Sequence, residues 1–263
     1  MSGDVTYASY LDLARILAAQ HPVSGAHDEM LFIIVHQASE LWLKLCLHEL
    51  TAARDCIAAD DLRPAFKMLA RVARAQGQLI QSWDVLSTMT PHDYSTVRPH
   101  LGGSSGFQSA QYRMMEFMLG GRNPDHVTRH EATPEVAAEL RAEMGRRSIY
   151  AEAVALLARR GFAIPAEVLA RDHGAAWVPS PELEAAWAEI YRDPQTHWDL
   201  YELAEKLVDL EYHFQRWRFG HLKTVERIIG FKRGTGGTPG VPYLAGVLKQ
   251  AFFPELLGVR TAL

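Results

Sequence analysis

The feature that most constrains this chain is the run from Ala26 to Arg63, 38 residues without one Gly or Pro. Strands of globular sheets are rarely a third as long, whereas a helix has no such limit. Within the run Phe32, His36, Ser39 and Leu43 recur at i, i+4, i+7 and i+11, so the spacing predicts one long buried helix. Pro64 suits the first turn of a second helix reaching about Thr88. A second long helix is expected from about Thr196 to Ile229, interrupted only by Gly220. Between these, TMTPHDYSTVRPHLGGSSGFQ (88–108) reads as a loop with one short helical turn, and about Ser109 to Leu119 as a helix stopped by Gly120 and Gly121. The stretch from about Asn123 to Trp177 reads as short helices, followed by a helix from Pro181 to about Tyr191. After the Gly/Pro-rich GFKRGTGGTPGVPYL (230–244), a last short helix is expected near Leu244–Phe252. No segment of any length has strand periodicity, and no repeat or linker divides the chain. The expected architecture is therefore all-α, a single-domain helical bundle over residues 1–263, in keeping with 35 Ala and 30 Leu.

Charge and targeting signals narrow the partners. With 27 Lys and Arg against 31 Asp and Glu, the net charge is −4, so no global positive field exists to hold a nucleic acid. The N-terminal segment carries Asp4, Asp12 and Arg15 and does not read as a signal peptide. No window of about 18 uninterrupted apolar residues occurs, so no membrane span is expected and the cytoplasm is the expected location. Cys46 and Cys56 form neither a CxxC nor a CxxCH pattern and read as reduced core thiols.

The 12 histidines are the unusual item, because imidazole ligates metals and moves protons near neutral pH. His221 lies within an apolar stripe with Phe214, Trp217, Val225 and Ile228, all on one face of a helical wheel. It is either a core histidine bonded to a carbonyl or a haem or metal ligand on a rigid helix. His36 stands in the same relation to the first long helix, with the same two readings. The pair could face one cavity. Tyr94 and Arg98, four apart in YSTVRP, could offer a guanidinium to a substrate carboxylate. Pro99 disfavours the α region for Arg98, so the turn should end there. The GTGG loop at 234–237, after Lys232 and Arg233, could cradle a carboxylate or phosphate through its backbone. Thr235 within it is either a turn residue or a ligand contact. There is no HExxH and no ExxH, which removes the zincin and di-iron bundle routes. His27-Asp28-Glu29 is only a weak start for a non-haem iron triad.

Three blocks carry a resemblance: HDEMLFIIVHQASELWLKL (27–45), YSTVRPHLGGSSGFQSAQYRMMEF (94–117) and RFGHLKTVERIIGFKRGTGGTPGVPYL (218–244), with FFPELLGVRT (252–261) near the C-terminus. In this order they resemble the tryptophan 2,3-dioxygenase family, thinning between about Asn123 and Thr196. The resemblance implies an all-helical homotetramer, a dimer of dimers, with long core helices enclosing one haem b per subunit. It implies addition of both atoms of O2 across the indole C2–C3 bond of L-tryptophan to give N-formyl-L-kynurenine, the first step of tryptophan degradation by the kynurenine route. Carried over by residue, His221 matches the axial haem ligand and His36 the distal histidine that meets the indole N–H. Phe32 packs on the ring, Tyr94 and Arg98 match the carboxylate-binding pair, and Thr235 completes the contacts to the amino-acid end. Tyr7 and Tyr10 look like tyrosines that reach into a neighbouring subunit's pocket, so residues 1–25 should contact that subunit. The rival expectation is a haem protein of the same superfamily that acts on another indole or senses O2.

Overall fold

The computed structural model describes residues 5–263, and every regular element among the described residues is helical. In chain order the α-helices are α1 (Tyr7–Tyr10), α2 (Leu13–Ile16), α3 (Glu29–Ala58), α4 (Leu62–Leu86), α5 (Pro91–Val97), α6 (Ala110–Leu119) and α7 (Asp125–Thr128). They continue as α8 (Pro134–Met144), α9 (Ile149–Arg159), α10 (Ala166–Leu169), α11 (Pro181–Arg192), α12 (Trp198–Ile229), α13 (Val241–Val247) and α14 (Pro254–Ala262).

The Gly- and Pro-free run becomes α3, a 30-residue helix. Its N-terminus is held by its own first residue: the Glu29 carboxylate accepts the backbone N–H groups of Val23 (2.9 Å) and Ser24 (2.6 Å), pinning the incoming loop. At the far end Asp60 adopts a left-handed conformation (φ 61°) that lets the chain reverse into α4. Its carboxylate accepts both arms of Arg160, at 2.6 and 2.7 Å, and the bidentate contact fixes the turn. Pro64 then falls in the first turn of α4, where an N–H would have no helical partner.

Helix α4 packs along both α3 and α12, which makes these three rods the frame. The core between them is built from Leu50 and Ile57 of α3, Leu69 and Val72 of α4, and Leu203, Leu207 and Leu210 of α12. Helix α9 closes the back of α3, and α11 carries the fully buried Trp187 into the same cluster. Two buried carboxylates fasten the C-terminal region. Glu211 of α12 accepts the backbone N–H groups of Phe252 and Phe253, both at 2.9 Å. Glu255 accepts from Tyr150 Oη (2.9 Å), Trp177 Nε1 (2.9 Å) and the Ser180 N–H (3.1 Å).

Three sequence expectations are corrected. The segment 88–108 holds α5 and two 3-10 turns, Arg98–His100 and Gly106–Gln108, where one turn was expected. Arg98 is α-helical (φ −51°, ψ −43°) despite the following Pro99, which opens the next 3-10 turn. The steric bias against that conformation is outweighed by the Arg98 N–H donating to the Tyr94 carbonyl and its guanidinium Nη2 donating to the Arg233 carbonyl at 2.6 Å. The last helix expected at Leu244–Phe252 ends at Val247, and a further helix, α14, follows with Pro254 in its first turn. Helix α3 is also long and apolar enough, by length and composition, to cross a membrane, which the criterion of an uninterrupted apolar run did not register. It carries Glu40 and Lys44 within its length and buries Leu43, Cys46, Leu50, Ala53 and Ile57 in the core. The thiols stand as expected: Cys46 and Cys56 are free, and burial pushes the Cys46 thiol up to about 12.

Glu211→Ala would leave two backbone N–H groups of a buried segment without an acceptor. It should lower stability by about 3 kcal/mol, read as a shift of the urea midpoint at unchanged slope.

Candidate active site

The C-terminal half of α3 is buried, but its first turns are not: from Phe32 to Ser39 one face is only half-covered. That face, the ends of α4 and α12, α6 and the loop after α12 surround a cavity of about 610 Å³, within the usual range for small-molecule and cofactor pockets. Phe32, His36, Tyr94, Thr235 and His221 all line it. Residues some 200 apart in sequence are thus brought to one space.

The two histidines are prepared differently. His36 turns Nδ1 back to the Phe32 carbonyl of its own helix, at 2.7 Å. A carbonyl only accepts, so Nδ1 carries the proton and Nε2 is left as an acceptor. Burial lowers the His36 pKa below the ordinary histidine value, with the Phe32 carbonyl and Glu40 opposing. The ring lies tilted against Phe32 (centroids 4.2 Å, 38°), and Phe32 lies 6.2 Å from Tyr94. His221 is flanked by aromatic rings, Trp83 lying nearly parallel to it (4.8 Å, 5°) and Trp217 tilted (5.5 Å, 45°). Burial first, then the charges of His36 and Arg113, bring the His221 pKa down to about 4. At neutral pH it is an uncharged imidazole with a free lone pair, the form that binds a metal ion.

The wall also contains a buried ionic cluster. Glu116 of α6 pairs with Arg113 through Oε2 and with Arg218 of α12 through Oε1, the latter at 3.0 Å. Burial alone would raise the Glu116 carboxyl, but the two guanidinium groups hold it below its ordinary value. Two cations share one carboxylate, and Arg113 Nε, Arg218 Nε and His126 Nδ1 are buried without a hydrogen-bond partner. Such a corner is complementary to a further anionic group. His126 itself is brought down to about 4 by burial and by Arg113.

Other expected site residues lie elsewhere. Arg98 does not line the cavity; its bond to the Arg233 carbonyl ties α5 to the loop that carries Thr235. That loop lies close against the 3-10 turn at Ser105: a Cβ on Gly236 would come within 2.7 Å of Ser105 Oγ. Tyr7 and Tyr10 of α1 are 76% and 77% exposed and reach no part of this chain's cavity. Sequence reasoning missed Trp83, Tyr112, Arg113, Glu116 and His126. It also missed Thr238, a buried cavity-lining residue whose hydroxyl lacks a partner. Tyr112, Arg113, Glu116 and Thr238 lie inside the recognised blocks, and Arg113 and Glu116 stand at i, i+3 on one short helix, but nothing local separates a cavity wall from ordinary core; Trp83 and His126 lie outside every block.

The family model described as tryptophan 2,3-dioxygenase matches residues 1–144 and 185–263. The chain belongs to the tryptophan 2,3-dioxygenase family. A tryptophan 2,3-dioxygenase of Erythrobacter litoralis is 83% identical over 263 residues, the whole of both chains. Tryptophan 2,3-dioxygenase 1 of Ralstonia nicotianae is 56% identical over 262 residues, covering 100% of this chain and 89% of that protein. A Bradyrhizobium tryptophan 2,3-dioxygenase is 58% identical over 261 residues, 99% of this chain and 94% of its own. The interval outside the family match, 145–184, contributes no residue to the cavity. Tryptophan 2,3-dioxygenases are haem-dependent and use O2 as co-substrate, and the residues present fit that group. The neutral, ring-flanked His221 is a nitrogen donor that would hold the iron, and the electropositive corner at Arg113 and Arg218 would receive anionic substituents.

Burial lowers His36, His126, His130, His173 and His221 alike. The unfolded chain takes up protons near pH 6.5, which the folded chain refuses until the pH falls further. The stability these groups give is therefore full above about pH 6.5 and lost as the pH falls toward their folded values. His126, whose folded value is about 4, makes the test: His126→Gln should flatten the fall in urea stability between about pH 6.5 and pH 4.

Proposed function

We propose that the cavity holds haem b through His221 and seats L-tryptophan on the His36 side, and that the product is N-formyl-L-kynurenine. The observation that carries this reading is the pair of histidines on one cavity, one with an uncharged imidazole among aromatic rings and the other with Nδ1 tied and Nε2 free. The bound haem supplies the activation of O2, and the chain's own residues position the substrate. His36 Nε2 accepts the indole N–H, which a substrate lacking that N–H would leave unpaired. Phe32 covers the ring. Arg98 and Thr235, with Tyr94, take the amino-acid end. Arg98 has five donors and spends one on the Arg233 carbonyl, so carboxylate binding would also hold the loop at 234–237 in place. Much of the rate advantage then comes from fixed orientation rather than from a strong base.

The chain acts as a single domain in the cytoplasm, in a homotetramer arranged as a dimer of dimers, with L-tryptophan and O2 as its small-molecule partners. Support for assembly comes from apolar surface at the N-terminal end: Tyr7, Tyr10, Leu17 and Val23 are each more than two-thirds exposed, and Ile34 and Leu41 of α3 are about half-exposed. Residues 1–25 would cover a neighbouring subunit, bringing Tyr7 and Tyr10 to its pocket. The rival reading, a haem protein that senses O2 or acts on another indole, shares the haem spectrum and separates on turnover.

The deciding experiment is aerobic L-tryptophan added to the reduced, haem-loaded protein. Accumulation of N-formyl-L-kynurenine is expected; a haem spectrum without product would leave the sensor reading. Arg98→Ala should weaken tryptophan binding about 10- to 100-fold, the worth of a charge-assisted hydrogen bond, with the haem spectrum unchanged. Unaltered affinity would mean that the carboxylate is held elsewhere. His36→Ala should retain measurable turnover, whereas complete loss would make His36 an obligatory base. Light scattering should give four chains per particle.

A further inference from the structure

Glycine is an unfavourable residue inside a helix relative to alanine, because it gives up more backbone freedom. Gly220 nevertheless sits deep within α12, next to His221. Space explains it: a Cβ at position 220 would lie 2.7 Å from Trp83 Cδ1 and 3.3 Å from Trp83 Cγ. The indole of α4 therefore rests directly on the α12 backbone, and only glycine permits that approach. The same indole lies parallel to the His221 ring, 4.8 Å away at an interplanar angle of 5°. Trp217 meets Trp83 from one turn earlier, at 5.2 Å. Trp83 Nε1 is buried and has no hydrogen-bond partner. Contact, not hydrogen bonding, sets the plane of the indole.

We propose that Trp83, seated on Gly220, is a positioning residue that fixes the plane of the His221 imidazole. Metal-binding histidines are usually oriented by a hydrogen bond from the second ring nitrogen. His221 has no such protein partner among the described hydrogen bonds of its side chain, and a flat aromatic plate takes over the task by restricting rotation of the ring. The inference rests on His221 as the haem ligand. It goes further by making α4 (Leu62–Leu86), which lies outside every recognised block, part of the ligand's support.

The test uses the haem-loaded ferrous protein and the iron–histidine stretching band in resonance Raman spectra, with the rate of haem transfer to an excess of a haem-scavenging globin as a second readout. Gly220→Ala should shift or broaden the band and speed haem loss by about 10-fold, the usual effect of disturbing a metal ligand's support. Gly77→Ala in α4, where a Cβ would meet nothing within 4 Å, should change neither. In a Trp83→Leu background, which itself alters the band, Gly220→Ala should have no further effect, because the group it collides with is gone. A Gly220→Ala protein with the parent band and parent haem-transfer rate overturns the proposal. If Gly220→Ala does not load haem, folded Trp83→Leu protein decides: an altered band supports the role, and the parent band with parent haem release overturns it. A parent protein without any iron–histidine band would overturn the ligand assignment itself, and with it the positioning role.

Discussion

A cavity of about 610 Å³ forfeits packing that a helical core would otherwise gain, since protein interiors normally fill to near-crystalline density. It stays open because its walls belong to rods anchored elsewhere. Helix α3 runs 30 residues and α12 runs 32; one half of each is locked into the leucine-rich core with α4, and the other half extends past it. The first turns of α3 and the last turns of α12 cannot collapse onto each other without dislodging Leu50, Ile57, Leu203 or Leu207 from that core. His36 and His221 ride on the overhanging halves, so the separation of the two histidines follows from the packing of residues that never touch the site.

Electrostatics then differentiate the walls. Burial keeps both histidines uncharged, and the carbonyl of Phe32 decides which nitrogen of His36 carries its proton. On the adjoining wall a single carboxylate, Glu116, lies between two guanidinium groups, leaving an excess of positive charge inside the protein. An uncompensated buried charge is expensive, and the site relieves that cost when an anionic group enters. The cavity is thus apolar where a macrocycle and an indole would lie and electropositive where carboxylates would end. Arg98, outside the cavity lining, braces the loop that carries Thr235 through the Arg233 carbonyl.

The long helices were legible because their signals are long: a Gly- and Pro-free run and a 3.6-residue stripe leave few alternatives. The helix boundaries at Gly120 and Pro181 followed from equally local chemistry. The region around Arg98 was misjudged because a local proline bias yields to a tertiary hydrogen bond, and the Arg233 carbonyl is 135 residues away. The same limit hid Trp83, Arg113 and His126. Their roles come from what lies opposite them, and nothing in a local window says that Trp83 faces Gly220 and His221 across two helices. His36 and His221 were visible as unusual residues on apolar stripes, and the family motifs then suggested different roles for them. The remaining histidines show why a count of 12 prompts a search without measuring its yield.

With the proposed roles the two cavity histidines are not interchangeable, and complementation by free imidazole separates them. His221→Gly should bind haem poorly and recover both binding and the histidine-ligated ferrous spectrum when imidazole is added. His36→Gly should load haem as the parent does, with or without imidazole. An imidazole requirement in His36→Gly, together with normal loading in His221→Gly, would reverse the assignment of the two walls.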